Sequence, residues 1–403
     1  MVDETAGRAG AAQATTVPAP GRPGVSQPGG NMPEGFVLPD YGGACIDSLV
    51  AALLAPPPER PDWLPRPVRE AAQVVLLVLD GLGWSQLQER RQVAPVLAAL
   101  EGGAISSVAP TTTATALSSL ALGMQPAAHG IVGYKFVVDG PSGPEVLNVL
   151  RWSTVSGDAR TFAAPRDIQP RVAFGGRPVP VVSRSDFAGT GFTQAHQQGA
   201  REVGWVVPSS IAVLVKQLLA QDEPLVYAYY DGIDKVAHAN GLGPLYMAEL
   251  AAADRLVGEL VASLPEGSAL AVTADHGQVA VGARAMALDP VVAAMAPLVS
   301  GEARFRWLHS RPGGQSDLLE AARSIYGGQA WVASQEEVLN AGVLGGFPDP
   351  RVRARLGDVL LVPAGEHAYL DPRDATDARL VCRHGGLSPA EMLVPLLGAG
   401  RGT

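Results

Sequence analysis

Val74-Val75-Leu76-Leu77-Val78-Leu79-Asp80-Gly81 is an unbroken apolar run that stops on an aspartate and a glycine. A strand with one wet face alternates apolar and polar residues. A run that is apolar at every position therefore belongs to a strand covered on both faces, as in a parallel sheet between helices. Two more runs, Leu225–Tyr230 and Ala269–Thr273, repeat the pattern, and Ala104–Val108 is a further candidate strand. Helical patterns lie between them: Thr113–Leu122, Ser210–Ala220, and Pro244–Leu264 with proline at its start. This β-α-β alternation predicts an α/β fold, a mostly parallel central sheet with helices on both faces.

Outside this frame the reading is coarser. Residues 1–31 hold almost no large apolar side chains and are expected to be a disordered tail, with the folded domain spanning 37–403. A helix is expected at Cys45–Leu54, then a proline-rich connector, Ala55–Pro67. Residues 135–205, including Val179–Phe187, read as a β-rich excursion over the site. Residues 280–380 read as a small α+β insert or cap: helix Asp317–Ile325, strand Ala330–Val332, helix Gln335–Ala341, strand Asp358–Val362.

The 403 residues are 47% hydrophobic, enough for one large domain with an insert. A net charge of -9 argues against nucleic acid or an anionic membrane as partner. A small anionic substrate stays open, because bound metal ions reverse the local field. Cys45 and Cys382 are too few for a disulfide framework or a thiolate metal site and are read as inert. No run approaches the roughly 18–20 apolar residues of a membrane span, and the N-terminus lacks a signal-peptide pattern, so a cytoplasmic enzyme is expected. Nothing in the sequence sets the oligomeric state.

Four segments share one signature, an apolar strand beside an Asp or His. They supply Asp80, then Asp234 and His238, then Asp275 and His276, and finally His384 before the strand MLVPLL. Ligands of open α/β sheets bind beyond the carboxyl ends of the strands, so these side chains can converge on one cleft. Three carboxylates and three imidazoles suit two divalent ions, Zn²⁺ first, with Mn²⁺ or Mg²⁺ as alternatives. Asp234 and His238 are one helical turn apart and share a face. An aspartate after a strand is often only a helix cap; six such positions together are not. Paired metals generate a nucleophile and stabilise both attacking and leaving oxygens of an in-line displacement. The threonine cluster of Ala109–Gly123 (APTTTATALSSLALG) opens a helix, where free backbone N–H groups favour an alkoxide and a phosphate.

In these motifs the chain resembles the alkaline phosphatase superfamily, in its nucleotide pyrophosphatase/phosphodiesterase branch. The strand-end Asp is Asp80, and P-T-x-T is Pro110-Thr111-Thr112-Thr113. G-x-x-P-x-x-H-G-I is Gly123 to Ile131, D-x-x-x-H is Asp234 and His238, D-H-G is Asp275-His276-Gly277, and the late His is His384. The resemblance implies that Thr113 is the nucleophile. It implies that Asp80, Thr113, Asp275 and His276 serve one zinc, and Asp234, His238 and His384 the other. The expected function is hydrolysis of a small phosphodiester or pyrophosphate, perhaps of a nucleotide, through a phospho-threonine.

The rival readings are a phosphomonoesterase or phosphonate hydrolase on the same scaffold and, from another class, a non-catalytic metal-binding protein. The chain departs from the family's animal members in having Thr112 and Ala114 beside the nucleophile. It also has Tyr134, a hydroxyl rather than an amide, where those enzymes hold a phosphoryl oxygen with Asn. His129 is read as structural, His196, His309 and His367 as surface or insert residues, and Asp231 and Lys235 as outside the ligand set.

Overall fold

Every residue from Val74 to Leu79 is buried in the computed structural model, which describes residues 32–374 and 379–401. The expected tail at 1–31 lies outside the described residues. The strand Gln73–Leu79 is near the centre of a seven-stranded sheet. The order across it is Glu101–Ser106, Leu393–Gly400, Ser268–Thr273, Gln73–Leu79, Leu225–Tyr230, Pro180–Arg184, Arg201–Trp205. The last five run parallel, whereas Leu393–Gly400 is antiparallel to both its neighbours. The sheet is thus mostly parallel, and an apolar core of strand and helix residues surrounds it.

Two readings are corrected at its edges. Pro180–Arg184 and Arg201–Trp205 are strands of the central sheet and not part of an excursion. Only residues 135–158 form a separate sheet, four short antiparallel strands led by the hairpin Lys135–Gly140 and Gly143–Asn148. The first edge strand is Glu101–Ser106 and stops before Val108. Its chain leaves the ladder at Ser107, whose hydroxyl donates to the Asp275 carbonyl, and so turns towards the site.

Residues 298–363 build an antiparallel sheet in the order Leu298–Glu302, Phe305–His309, Val359–Pro363, Ala330–Ser334. Helices Gln315–Tyr326 and Gln335–Asn340 accompany it. Alternation divides its side chains: Leu308, Val332 and Leu361 join Leu318 and Ala322 in a local core, while Phe305, Trp307 and Trp331 pack into the main one. Arg355 ties the unit down, its guanidinium donating to Gly130 O (2.6 Å) and Ile168 O (3.0 Å). Among the described residues no helix is long and apolar enough to cross a membrane.

Candidate active site

Strand register assembles the site. Val78 pairs with Thr273 and Leu79 with Tyr230, so Asp80, Asp231 and Asp275 leave the sheet at one edge. Gly81 makes the first turn at φ +76°; a Cβ there would lie 2.8 Å from Gln278 Nε2 and 2.9 Å from Asp234 Cβ. Only glycine permits that approach. The helix Gly232–Asn240 begins just past its strand and presents Asp234 and His238 together, Oδ1 to Nε2 3.3 Å. Thr113 is the first residue of the buried helix Thr113–Leu122. His384 follows the short strand Cys382–Arg383, which pairs with Val279–Ala280 just beyond His276.

All seven expected residues meet. His276 Nε2 lies 3.1 Å from Thr113 Oγ1, 3.5 Å from Asp80 Oδ1 and 3.4 Å from Asp275 Oδ2. His384 Nε2 is 3.2 Å from His238 Nε2 and 4.0 Å from Asp234 Oδ1. Two groups have metal-holding geometry, each with ligand atoms within 4.8 Å of one another: Asp234, His238 and His384, and Asp80, Asp234 and His276. Asp234 belongs to both, whereas the resemblance gives it to one zinc.

The donor set fits divalent cations. Each imidazole donates from Nδ1 to a backbone carbonyl: His238 to Cys382 O (2.8 Å), His276 to Gly277 O (3.1 Å), His384 to Thr111 O (2.8 Å). A carbonyl can only accept, so each Nε2 turns a lone pair into the cluster, as metal-ligating histidines do. Asp80 Oδ1 and Asp275 Oδ2 are buried without any hydrogen-bond partner. Such orphans cost about 1–3 kcal/mol each unless a cation satisfies them.

Burial, then the charges of Asp275 and Asp234, pushes the Asp80 carboxyl well above the usual carboxylate range. Burial also raises Asp275. His384 is held well below the usual imidazole range, first by burial and then by His276 and His238. His384 is therefore in the neutral form that can ligate, and positive charge in the cluster would restore the carboxylates.

Apart from Thr111, which stands in the P-T-x-T motif, the residues that support the site carry no sequence signature. Tyr229 donates its hydroxyl to Asp80 Oδ2, and Gln278 donates to Asp234 Oδ1 at 2.5 Å. Thr111 clamps the His384 loop: its hydroxyl donates to Gly386 O (2.8 Å) and accepts from Gly385 N (3.0 Å). A fully buried pair, Arg304 and Glu391, braces the same loop, with Glu391 accepting from Gly386 N at 2.8 Å. Gln278 follows Asp275-His276-Gly277 directly, and that adjacency was the one available clue.

Two cavities open on the cluster. The more polar one, of about 310 Å³, is lined by Thr112, Thr113, Tyr134, Lys135, Arg151 and His384, among others. The other, about 280 Å³, is largely apolar, with Leu117, Leu150, Phe187, Phe192 and Tyr229 in its wall. Thr113 and Asp234 line both.

The remaining polar residues sort by contact. His129 is buried; its Nδ1 accepts from Ile131 N (3.1 Å), so its Nε2 donates to Ser119 Oγ (2.9 Å) on the Thr113 helix. His196 is not a surface residue. It is buried in the apolar cavity wall, stacked on Phe192 at 3.9 Å between centroids. Lys235 pairs with Asp231 at 2.5 Å. Cys45 and Cys382 are free and buried, and burial pushes the Cys382 thiol up to about 12.

The sequence model of the family described as type I phosphodiesterase / nucleotide pyrophosphatase matches residues 74–385. Among solved structures the chain is similar to murine ectonucleotide pyrophosphatase / phosphodiesterase 5, at TM-score 0.63 and 16% identity over 81% of this chain and 88% of that one. An inactive threonine-to-alanine variant of that protein, in complex with AMP, gives 0.61 and 15% over the same shares. Phosphonoacetate hydrolase from Sinorhizobium meliloti, in complex with phosphonoformate, gives 0.53 and 17% over 82% and 90%. These identities establish the fold alone. No curated protein matches the chain in sequence.

Proposed function

The chain belongs to the type I phosphodiesterase / nucleotide pyrophosphatase family, and from that premise we propose that it cleaves phosphodiesters or pyrophosphates through a phospho-threonine at Thr113. It is a phosphoric ester hydrolase. The observation that carries the diester reading is that Thr113 lines both cavities. A phosphorus atom within reach of its hydroxyl has room for a substituent on each side, one polar and one apolar. A monoester fills only one. A nucleotide joined to a second anionic group fits both, and the murine relative's complex with AMP supports that choice.

The ion-binding residues are proposed as Asp80, Thr113, Asp275 and His276 for one zinc, and Asp234, His238 and His384 for the other. Bound there, divalent ions would neutralise the phosphoryl charge and make the threonine alkoxide and the leaving oxygen accessible. In the first half-reaction the Thr113 Oγ1–P bond forms and the P–O bond to the leaving ester breaks, the electron pair departing with the leaving oxygen. The Thr113 proton leaves to solvent through the polar cavity. Water then attacks the same phosphorus, the P–Oγ1 bond breaks, and Thr113 recovers a proton. The first N–H groups of the Thr113 helix have no partner inside the helix and would be free to donate to a phosphoryl group held at Thr113. Thr112, at the helix N-cap, makes no side-chain cap bond that would compete for them.

The test compares bis(p-nitrophenyl) phosphate with p-nitrophenyl phosphate, with and without chelator. A diesterase gives much the higher kcat/KM on the first and loses it on chelation. Equal or better turnover of the monoester moves the assignment to a phosphomonoesterase.

A further inference from the structure

The wall of the apolar cavity holds a polar pair whose hydrogen bonds fix each other, His196 and Gln197. His196 Nδ1 lies 2.7 Å from Phe192 O, and a carbonyl can only accept, so that nitrogen carries a proton. Burial lowers the imidazole from 6.5 to about 4, against the weaker pull of the Phe192 carbonyl. The ring is neutral, and its Nε2 therefore offers a lone pair. Gln197 meets that lone pair at 3.0 Å with its amide nitrogen, because an amide oxygen there would set two acceptors against each other. Gln197 Oε1 is thereby turned away from His196. It is buried and has no hydrogen-bond partner among the described residues. Hydroxyls that share the cavity wall are committed elsewhere: Thr190 donates to Thr193 Oγ1, Thr193 to Phe187 O, and Tyr229 to Asp80. The backbone is held too, with Gln197 N on Thr193 O (3.0 Å) and Ala200 N on Gln197 O (3.0 Å). A buried acceptor of this kind costs free energy until a donor meets it.

We propose that Gln197 is a specificity-determining residue, accepting through Oε1 a hydrogen bond from an N–H or O–H on the organic group that the apolar cavity receives, with His196 as the positioning residue that holds the amide in that sense. The substrate class is a phosphodiester whose apolar-side substituent is a ring carrying a hydrogen-bond donor. The inference rests on the proposed reading of the two cavities, in which this one takes a substituent of the phosphorus attacked by Thr113. Phe187, Phe192 and Tyr229 in the same wall favour a flat ring over a flexible chain. Apolar walls alone discriminate weakly, because they respond to area and not to chemistry. A buried acceptor rejects a ring of the same shape that lacks the donor, since that ring excludes water and leaves the oxygen unpaired. His196 is stacked on Phe192 at 3.9 Å between centroids, so the amide is held before the substrate arrives. The contact transfers no proton.

The test uses p-nitrophenyl phosphodiesters in isosteric pairs: 4-aminophenyl against 4-methylphenyl and, with longer reach, 6-amino-2-naphthyl against 6-methyl-2-naphthyl. Released p-nitrophenol reports every ester alike. In wild type at least one amino ester should exceed its methyl partner in kcat/KM by about tenfold or more, although a purely apolar wall would favour the methyl group. Gln197→Met keeps the length and removes the acceptor, and it should bring that ratio to within about threefold, the loss falling on the amino ester. His196→Phe keeps a ring on Phe192 but frees the amide to turn, so it should lower the ratio as well; an unchanged ratio removes His196 as the positioning residue. The wild-type ratios decide the matter even if a variant misfolds. Should both pairs be separated by less than tenfold, or the preference survive Gln197→Met, the assignment of Gln197 falls. The diesterase reading then stands as long as bis(p-nitrophenyl) phosphate is cleaved and Thr113→Ala is inactive. Should Thr113→Ala retain turnover, the underlying reading falls and the inference with it.

Discussion

His238 and His384 face each other with Nε2 atoms 3.2 Å apart, each donating its Nδ1–H in a hydrogen bond to a backbone carbonyl. Two lone pairs at that distance repel, and neither ring can turn without losing its carbonyl. A cation between them relieves the conflict. Chelation is therefore expected to remove activity and lower Tm, and added Zn²⁺ to restore both. At a hundredfold excess over Kd a bound ion stabilises by about 2.7 kcal/mol, which differential scanning calorimetry reads as several degrees. His384→Ala should shrink the gap between loaded and chelated Tm. An unchanged gap would remove His384 from the ligand set.

The register of the nucleophile is a second test, because three threonines stand in a row. Their contacts differ. Thr111 holds Gly385 and Gly386, Thr112 makes no side-chain cap bond, and Thr113 Oγ1 reaches His276. Thr113→Ala is expected to lower kcat by at least about 10³-fold, on the scale of losing a covalent nucleophile. Thr112→Ala should stay within a few-fold of wild type. Acid quench followed by intact-mass measurement should find a phosphoryl adduct in wild type and none in Thr113→Ala. An adduct that persists in Thr113→Ala would move the nucleophile to a neighbour.

How far the sequence reached depended on how local each cause is. VVLLVL betrays a buried central strand because both its faces are covered, and the register of three such strands then carries Asp80, Asp234 and Asp275 to one edge. Val179–Phe187 misled because its apolar run is short and proline-punctuated, so sheet membership depends on the neighbour Leu225–Tyr230 and not on its own pattern. Leu298–Glu302 and Phe305–His309 passed unnoticed, since the second strand places Arg306 and Trp307 among its buried residues and shows no clean alternation. His196 has no partner at helical or strand spacing; its burial comes from stacking on Phe192 and from the cavity it walls. Tyr229 supports Asp80 from 149 positions away and Gln278 supports Asp234 from 44, contacts that no local pattern encodes.

Stability should fall in mild acid, and His129 is one cause. Burial, then the Arg355 charge, lowers its imidazole from 6.5 to about 3. Above pH 6.5 folded and unfolded chains are both neutral there, and the group contributes nothing. Below it the unfolded chain takes up a proton that the folded one refuses, so stability drops by about 1.4 kcal/mol per pH unit until the folded value is reached. Asp80, raised in the fold, works in the opposite sense, but it cancels when wild type and His129→Gln are compared, both chelated. Urea unfolding at pH 7.5 and 5.0 should show wild type losing about 2 kcal/mol more than the variant. Parallel losses would mean that His129 is not held neutral.

Phe187 tests the apolar cavity. Its ring packs against Tyr229 at 6.3 Å between centroids and carries Arg184 over its face at 5.3 Å, so it forms a wall of fixed position. If that cavity receives an organic substituent of the phosphodiester, Phe187→Ala should reduce kcat/KM for bis(p-nitrophenyl) phosphate. Apolar contacts of this size discriminate by about 1–3 kcal/mol, or roughly 10–200-fold. The control is methyl p-nitrophenyl phosphate, whose small group gains little from the wall and should lose less than threefold. The comparison is needed because Tyr229 also donates to Asp80, and a shift of Tyr229 would disturb the carboxylate and imidazole cluster for every substrate alike. Equal losses on the two esters would therefore locate the effect at Asp80, and the apolar cavity would no longer count as the substituent's pocket.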